Sequence, residues 1–138
     1  MGTASTMACI AEALGMTVPG GASPPAVTAE RLRIAELTGA QAVRTAQQRL
    51  TVAQVLTAQA FENAMRVLLA SGGSTHAVIH LTAITGRLGF EIDLRAFDRM
   101  GRETPVLPDL KPSGEHYRGA LRHTRAAPAM RRSAGFPA

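Results

Sequence analysis

The sequence predicts a mainly α-helical chain with a basic C-terminal tail. Two observations predict the helices: apolar residues recur at helical spacing as far as about residue 100, and clusters of Gly and Pro divide them into segments. From residue 118 onward the chain consists largely of Arg, Ala, Gly and Pro, without a sustained period of 2 or 3.6. We therefore expect a helical part at 1–117 and a disordered tail at 118–138.

The first predicted helix is TASTMACIAEAL at 3–14, with apolar residues on one face. Thr3 or Ser5 would cap it, and Gly15 would end it, since glycine tolerates the left-handed conformation common after a helix. The stretch PGGASPP at 19–25 then predicts a loop that neither a helix nor a strand can cross.

A longer helix is predicted from the N-cap residue Thr28 to about Gln48. Gly39 weakens its middle by about 1 kcal/mol relative to alanine. Its apolar stripe consists of Leu32, Ala35, Ala42, Val43 and Ala46. A short turn ending near Leu56 follows, with Thr51 as its cap.

Two strongly apolar helices meet in AFENAMRVLLASGGSTHAVIHL at 60–81, where Gly72-Gly73 separates them. The predicted core residues are Phe61, Ala64, Met65, Leu68 and Leu69 in the first helix, and Ala77, Val78, Leu81, Ile84 and Leu88 in the second. Thr57 would cap the first helix, and Ser74 or Thr75 the second. Further on, Asp93 would cap a short helix, and TPVLPDL at 104–110 is predicted to be extended.

The formal net charge of +5 arises entirely in the tail, because residues 118–138 hold five arginines and no acid. These arginines give an alternative function, a small basic nucleic-acid-binding protein that acts through its tail. Aromatic residues do not interleave with them and no predicted fold presents them, so the signal for a nucleic-acid partner is weak.

The single cysteine, Cys9, excludes an internal disulfide framework and is typical of a reducing compartment. No apolar run approaches the roughly 20 residues that a helix needs to cross a bilayer. The N-terminus lacks the basic region of a signal peptide. We therefore expect a cytoplasmic protein without a membrane partner.

Gly73, Ser74 and Thr75 are the candidate substrate-binding residues. Glycine lets a ligand approach the backbone, and the N-terminus of the following helix favours an anion. A tight turn with a Ser/Thr cap explains the same residues and is the favoured interpretation. His76 and His80 are four residues apart and could share a metal ion, but no third ligand is evident nearby. We predict no catalytic and no metal-binding residue.

Three stretches together resemble the dihydroxy-acid dehydratase family. They are MGTASTMACIAEALGM at 1–16, the stretch at 60–81 quoted above, and DLKPSG at 109–114. The family includes 6-phosphogluconate dehydratase and sugar-acid dehydratases of the arabinonate or xylonate type, which MGTASTMAC and GRLGFEIDL resemble most. The resemblance covers about residues 1–117 and implies a helical segment of a larger α/β N-terminal domain.

The resemblance also implies a function. Family members are hydro-lyases that convert a small 2,3-dihydroxy carboxylic acid into a 2-keto acid with an iron–sulfur cluster and Mg²⁺. A Lewis-acidic metal stabilises the departing hydroxide while a base removes the proton at C2. The cluster cysteines, the magnesium ligands and the seryl base of the family are missing from this sequence. Cys9 does not match a cluster ligand, and His76 stands where the family usually has Asn.

These departures predict an internal fragment of a dehydratase that is inactive alone, from a gene truncated at its start. The Arg/Ala/Pro/Gly run from Arg118 onward, a composition expected when GC-rich DNA is read out of frame, predicts a frameshift near Arg118. Its exposed apolar helix faces would then promote self-association. A rival hypothesis is a working subunit that borrows the cluster and the base from a separately encoded partner.

Overall fold

Residues 1–117 are those that the structure, a computed structural model, describes. They form six helices: α1 (Thr3–Ala13), α2 (Ala29–Gln47), α3 (Val52–Val55), α4 (Ala58–Ala70), α5 (His76–Arg87) and α6 (Leu94–Glu103). Over these residues there is no β-strand, and strand-like pairing is limited to one isolated bridge between Leu110 and His116. The mainly α prediction is therefore confirmed.

Helix α4 lies at the centre of the core. It packs mainly on α1 and less extensively on α6, while α5 packs on α1. Phe61, Ala64 and Leu68 on α4 are buried, as their spacing predicts, and the ring of Phe61 meets that of Phe90 edge-on at 6.3 Å. Burying a side chain as large as Phe or Leu contributes about 1.5–3 kcal/mol. The contact between α1 and α4 is the most extensive contact between helices in this part.

Most of the predicted helix ends are confirmed. The Thr57 hydroxyl accepts a hydrogen bond from the Ala60 N–H at 3.2 Å, and Thr51 forms a capping box with Gln54. The Asp93 carboxylate likewise accepts from the Arg95 N–H at 2.9 Å.

The predicted cap of the first helix is wrong. The N-cap residue of α1 is Gly2, and no side chain accepts a hydrogen bond there. The reason is tertiary: the Thr3 hydroxyl lies 3.1 Å from the Ser74 hydroxyl, so it contacts another part of the chain instead of its own helix.

The predicted loop at 19–25 is held between two charged side chains. The Glu12 carboxylate accepts hydrogen bonds from the N–H groups of Gly20 and Ala22, at 2.7 and 2.8 Å. From the other side, the Arg31 guanidinium donates to the carbonyls of Gly21 and Pro24, at 2.8 and 2.6 Å. Because Glu12 is on α1 and Arg31 is on α2, the loop fixes the start of α2 to the core.

Helix α2 forms as predicted, but none of its residues is buried. The predicted stripe beginning at Leu32 is exposed along its whole length. The apolar pattern correctly identified a helix with an apolar side. Whether a partner for that side exists in the same chain does not follow from periodicity.

Two expectations concern residues 118–138, which lie outside the residues that the structure describes: a disordered tail, and nucleic-acid binding through that tail. Among the described helices, none is both long enough and apolar enough to span a membrane.

Candidate substrate-binding site

The Gly72-Gly73 turn brings the N-terminus of α5 against the N-terminus of α1. Gly72 has φ +58°, a left-handed conformation that glycine adopts without strain. At Gly73 the constraint is space, because an added Cβ would lie 2.7 Å from Thr6 Cγ2 and 2.8 Å from Leu68 Cδ1. Both glycines are therefore needed for the two helix N-termini to meet.

Thr6 joins the two helix starts. Its hydroxyl donates to the Gly2 carbonyl at 3.0 Å and accepts from the Ser74 N–H at 3.0 Å. Thr6 is completely buried, so each of these polar groups would be costly to leave unpaired. This hydrogen bond between elements fixes the backbone at the start of α5.

Three polar side chains that are less buried than Thr6 lie close to one another at the same junction. The hydroxyls of Thr3 and Ser74 are 3.1 Å apart, and each lies 3.3 Å from Nδ1 of His76. The Ser74 hydroxyl also accepts from the His76 N–H at 3.4 Å, and Ser74 lies one residue before Thr75, which is the N-cap residue of α5. We call Thr3, Ser74 and His76 the polar triad.

The polar triad lies where two helix dipoles present their positive ends. The first N–H groups of any helix have no partner within it, and Gly2 provides no side chain to satisfy those of α1. Helix N-termini favour negative charge, and the hydroxyl and imidazole groups add hydrogen-bond donors. The arrangement is chemically suited to a carboxylate.

Of the three predicted site residues, Gly73 and Ser74 lie at the junction, and both are half-buried. Thr75 is exposed and its side chain makes no capping hydrogen bond. Sequence reasoning missed Thr3 and Thr6 as their partners. The sequence offered one indication: MGTASTM and GGSTH both lie in the stretches that resemble the dehydratase family. Their separation along the chain does not indicate that they are in contact.

The side chains of this part do not fit a metal ion or an iron–sulfur cluster. Within residues 1–117 no three His, Cys, Asp or Glu residues are close enough to bind a metal. Nδ1 of His76 contacts the two hydroxyls of the polar triad, and His80 is exposed one turn further along α5. The single cysteine, Cys9, is half-buried on α1.

Comparison with known proteins identifies the family. A family model described as the N-terminal part of dihydroxy-acid/6-phosphogluconate dehydratase matches residues 1–130. The chain belongs to this family. Two similar proteins, both named dihydroxy-acid dehydratase, come from Thermodesulfovibrio yellowstonii (45% identical over 94% of this chain) and Arthrobacter sp. (46% over 84%). A third of the same name, from Sulfurisphaera tokodaii, is 43% identical over 93% of the chain.

The chain matches only part of the length of these relatives. It spans about a quarter of the curated relatives' length, 24% for the T. yellowstonii protein and 20% for the Arthrobacter protein. It continues to residue 130, further than the resemblance was expected to reach. A division after residue 117 stays a prediction.

Proposed function

We propose that this chain is part of a hydro-lyase that dehydrates 2,3-dihydroxy carboxylic acids to 2-keto acids. The observation that carries the proposal is the family match over residues 1–130. Relatives that are 40–46% identical, all named dihydroxy-acid dehydratase, support the same reaction class. The sugar-acid substrates that MGTASTMAC suggests remain the second substrate group to test.

Within such an enzyme, the role proposed for this part is binding. Gly73, Ser74 and Thr75 would hold the substrate carboxylate at the N-terminus of α5. The contact between Ser74 and Thr3 supports this role, because it brings a second helix N-terminus to the same place. A turn stabilised by a Ser cap explains the same residues without a ligand, so the two interpretations need a functional test.

The chain alone is proposed to be inactive and to self-associate. The resemblance assigns the cluster cysteines, the magnesium ligands and the base to parts of the family sequence that this chain does not contain. The cluster and Mg²⁺ would therefore be bound by other parts of a dehydratase. A cytoplasmic location, inferred from the single cysteine, belongs to the same proposal.

The first experiment measures formation of 2-keto acid from a branched 2,3-dihydroxy acid and from a sugar acid. Two proteins are compared after anaerobic supply of iron, sulfide and Mg²⁺: the 138-residue chain, and a chimera in which residues 1–130 replace their matching segment in the T. yellowstonii enzyme. We expect no product from the chain and product from the chimera. Turnover by the purified chain alone would contradict the proposal.

The same chimera tests the binding role. Ser74→Ala removes a hydrogen-bonding hydroxyl, and a lost hydrogen bond to a charged group lowers kcat/KM by about tenfold or more. Thr82→Ala is the matched control, because its exposed hydroxyl bonds only to the Val78 carbonyl of its own helix. Equal kcat/KM for the two variants would favour the interpretation of Ser74 as a cap alone.

A further inference from the structure

The outer side of α2 has no partner among the residues that the structure describes. Leu37 is 52% exposed and Val43 58%, in a helix of 19 residues without a buried side chain. Most helices in proteins depend on packing of one face, because isolated helices are only marginally stable in water. The outer side of α2 is therefore a candidate for contact with another molecule.

The middle of this side carries two adjacent small residues, Gly39 and Ala40. A Cβ added at Gly39 would meet no atom within 4 Å, so no contact within the described part requires a glycine there. Glycine weakens the middle of a helix, and the fold of one chain does not explain that cost. Helix axes approach most closely where the facing side chains are small, so Gly39 and Ala40 suit the crossing point of two helices.

Two charged residues lie on the same face as Ala40, one on either side of it. Glu36 precedes it by four residues and Arg44 follows it by four, the spacing that keeps helical residues on one face. Both are exposed, and neither forms an ion pair with another described residue. Eight residues of helix span about 12 Å, so Glu36 and Arg44 are too far apart to pair within one chain. Each charge is therefore available to a partner.

These positions match those that a second copy of the helix offers. Most homodimers have two-fold symmetry, so the surface that pairs must be complementary to itself. In an antiparallel pair that crosses at Ala40, a residue four positions before the crossing lies level with one four positions after it. Glu36 of each copy then lies level with Arg44 of the second copy, and Leu37 lies level with Val43. In a parallel pair, like charges would lie side by side instead.

We propose that two copies of this chain form an antiparallel dimer through α2, with the two helices crossing at Ala40. Two reciprocal ion pairs between Glu36 and Arg44 fix the direction and the register, while Leu37 and Val43 supply the apolar contact. A second copy is the occupant because symmetry alone supplies both charges at matching positions. The inference rests on the self-association in the proposed function, and it names the surface and the geometry of that association.

Charge reversal tests the register in the 138-residue chain. Glu36→Arg and Arg44→Glu are made singly and together, and the dimer Kd is measured by sedimentation equilibrium at low salt. Each single reversal replaces two attractive pairs with two repulsive ones, so we expect Kd to rise about tenfold. The combined variant restores both pairs with their signs exchanged, and its Kd should return to within about threefold of that of the unaltered chain.

Two controls match these changes elsewhere on the surface. Glu103→Arg reverses an exposed acid of α6, and Arg87→Glu reverses an exposed base in the last turn of α5, the position that Arg44 has in α2. Neither should change Kd by more than about twofold. Circular dichroism reports whether the helices still form. The combined variant keeps the test decisive, because a restored dimer cannot result from a helix that has been lost.

Cysteine cross-linking tests the crossing point. Ala40→Cys is combined with Cys9→Ala, which removes the only other thiol, and oxidised glutathione accepts the two electrons when a disulfide forms between two copies. We expect a covalent dimer. Gln59→Cys in the same background is the control and should stay monomeric on a denaturing gel, because Gln59 lies on the polar side of α4, where it contacts Glu62 and Asn63.

The outcomes separate this inference from the proposed function. A chain that is monomeric at every concentration would contradict both the proposed self-association and this dimer. A dimer whose Kd is the same in all three charge variants, or is not restored in the combined variant, would overturn the antiparallel pairing and leave self-association through another surface standing. A cross-link at Gln59 with none at Ala40 would overturn the pairing as well.

Discussion

At the scale of single residues, Thr6 contributes most to the junction of α1 and α5. Its buried hydroxyl donates a hydrogen bond to the Gly2 carbonyl and accepts one from the Ser74 N–H. The Cγ2 methyl of the same side chain is the atom that an added Cβ at Gly73 would meet at 2.7 Å. Thr6 thus sets both the hydrogen bonding and the spacing of the two helix N-termini.

Thr6→Val is predicted to destabilise the chain by about 1–3 kcal/mol, because valine has a similar shape but leaves the Ser74 N–H without its acceptor. Urea unfolding followed by circular dichroism measures the loss. Thr38→Val is the control, since the exposed Thr38 hydroxyl only donates to the Ile34 carbonyl within α2. Similar losses for both variants would mean that the contact between Thr6 and Ser74 contributes little.

His76 shows why the residue types alone did not distinguish a metal ligand from a side chain that contacts hydroxyl groups. The pair His76 and His80 suggested a metal site by spacing, whereas in the structure Nδ1 of His76 contacts Thr3 and Ser74. Both partners of the imidazole come from outside α5, and one of them is 73 positions away in sequence. The i, i+4 pattern carries no information about such contacts.

At the scale of elements, the loop at 19–25 depends on two side chains from neighbouring helices. The Glu12 carboxylate binds two loop N–H groups, and Arg31 binds two loop carbonyls. Hydrogen bonds to charged groups are roughly twice as strong as neutral ones. A loop rich in Gly and Pro is thereby held in one conformation.

Glu12→Gln is predicted to destabilise this loop by about 1–3 kcal/mol, because an amide offers one acceptor where the carboxylate offers two. Hydrogen exchange at the N–H groups of Gly20 and Ala22 should become faster. Glu36→Gln, at an exposed position of α2, is the control and should leave both rates unchanged. Unchanged exchange in the Glu12 variant would show that Arg31 alone orders the loop.

Element boundaries were largely predictable because caps and stops are local. Thr57 and Asp93 cap their helices with side-chain hydrogen bonds, and Gly15 and Gly89 have positive φ at helix ends. Each of these features depends on residues within one turn of the chain. The cap of α1 failed as a prediction because Thr3 is engaged by Ser74, a residue far away in sequence.

At the scale of the whole molecule, the exposed apolar side chains of α2 have a consequence for the isolated chain. Apolar surface in water favours association, and α2 adds Leu32, Leu37 and Val43 to the exposed apolar groups. The compact core on α4 does not cover them.

We predict that the purified chain self-associates in a concentration-dependent manner. Light scattering coupled to size-exclusion chromatography should show an average mass above the 14.5 kDa of one chain, rising with concentration. Leu32→Asp with Val43→Asp should return the mass toward one chain, whereas Gln59→Asp should not. A mass of one chain for the unaltered protein at every concentration would contradict the prediction.

The sequence by itself determined the helices, most of their ends and the dehydratase family, because spacing, caps and motifs are properties of neighbouring residues. Only the tertiary structure decided that Thr3, Thr6, Ser74 and His76 meet, and that α2 lies on the surface of this part of the chain. Both outcomes depend on contacts between segments distant in sequence. An apolar stripe indicates that one face of a helix is suited to packing, and the packing of the rest of the molecule determines what that face contacts.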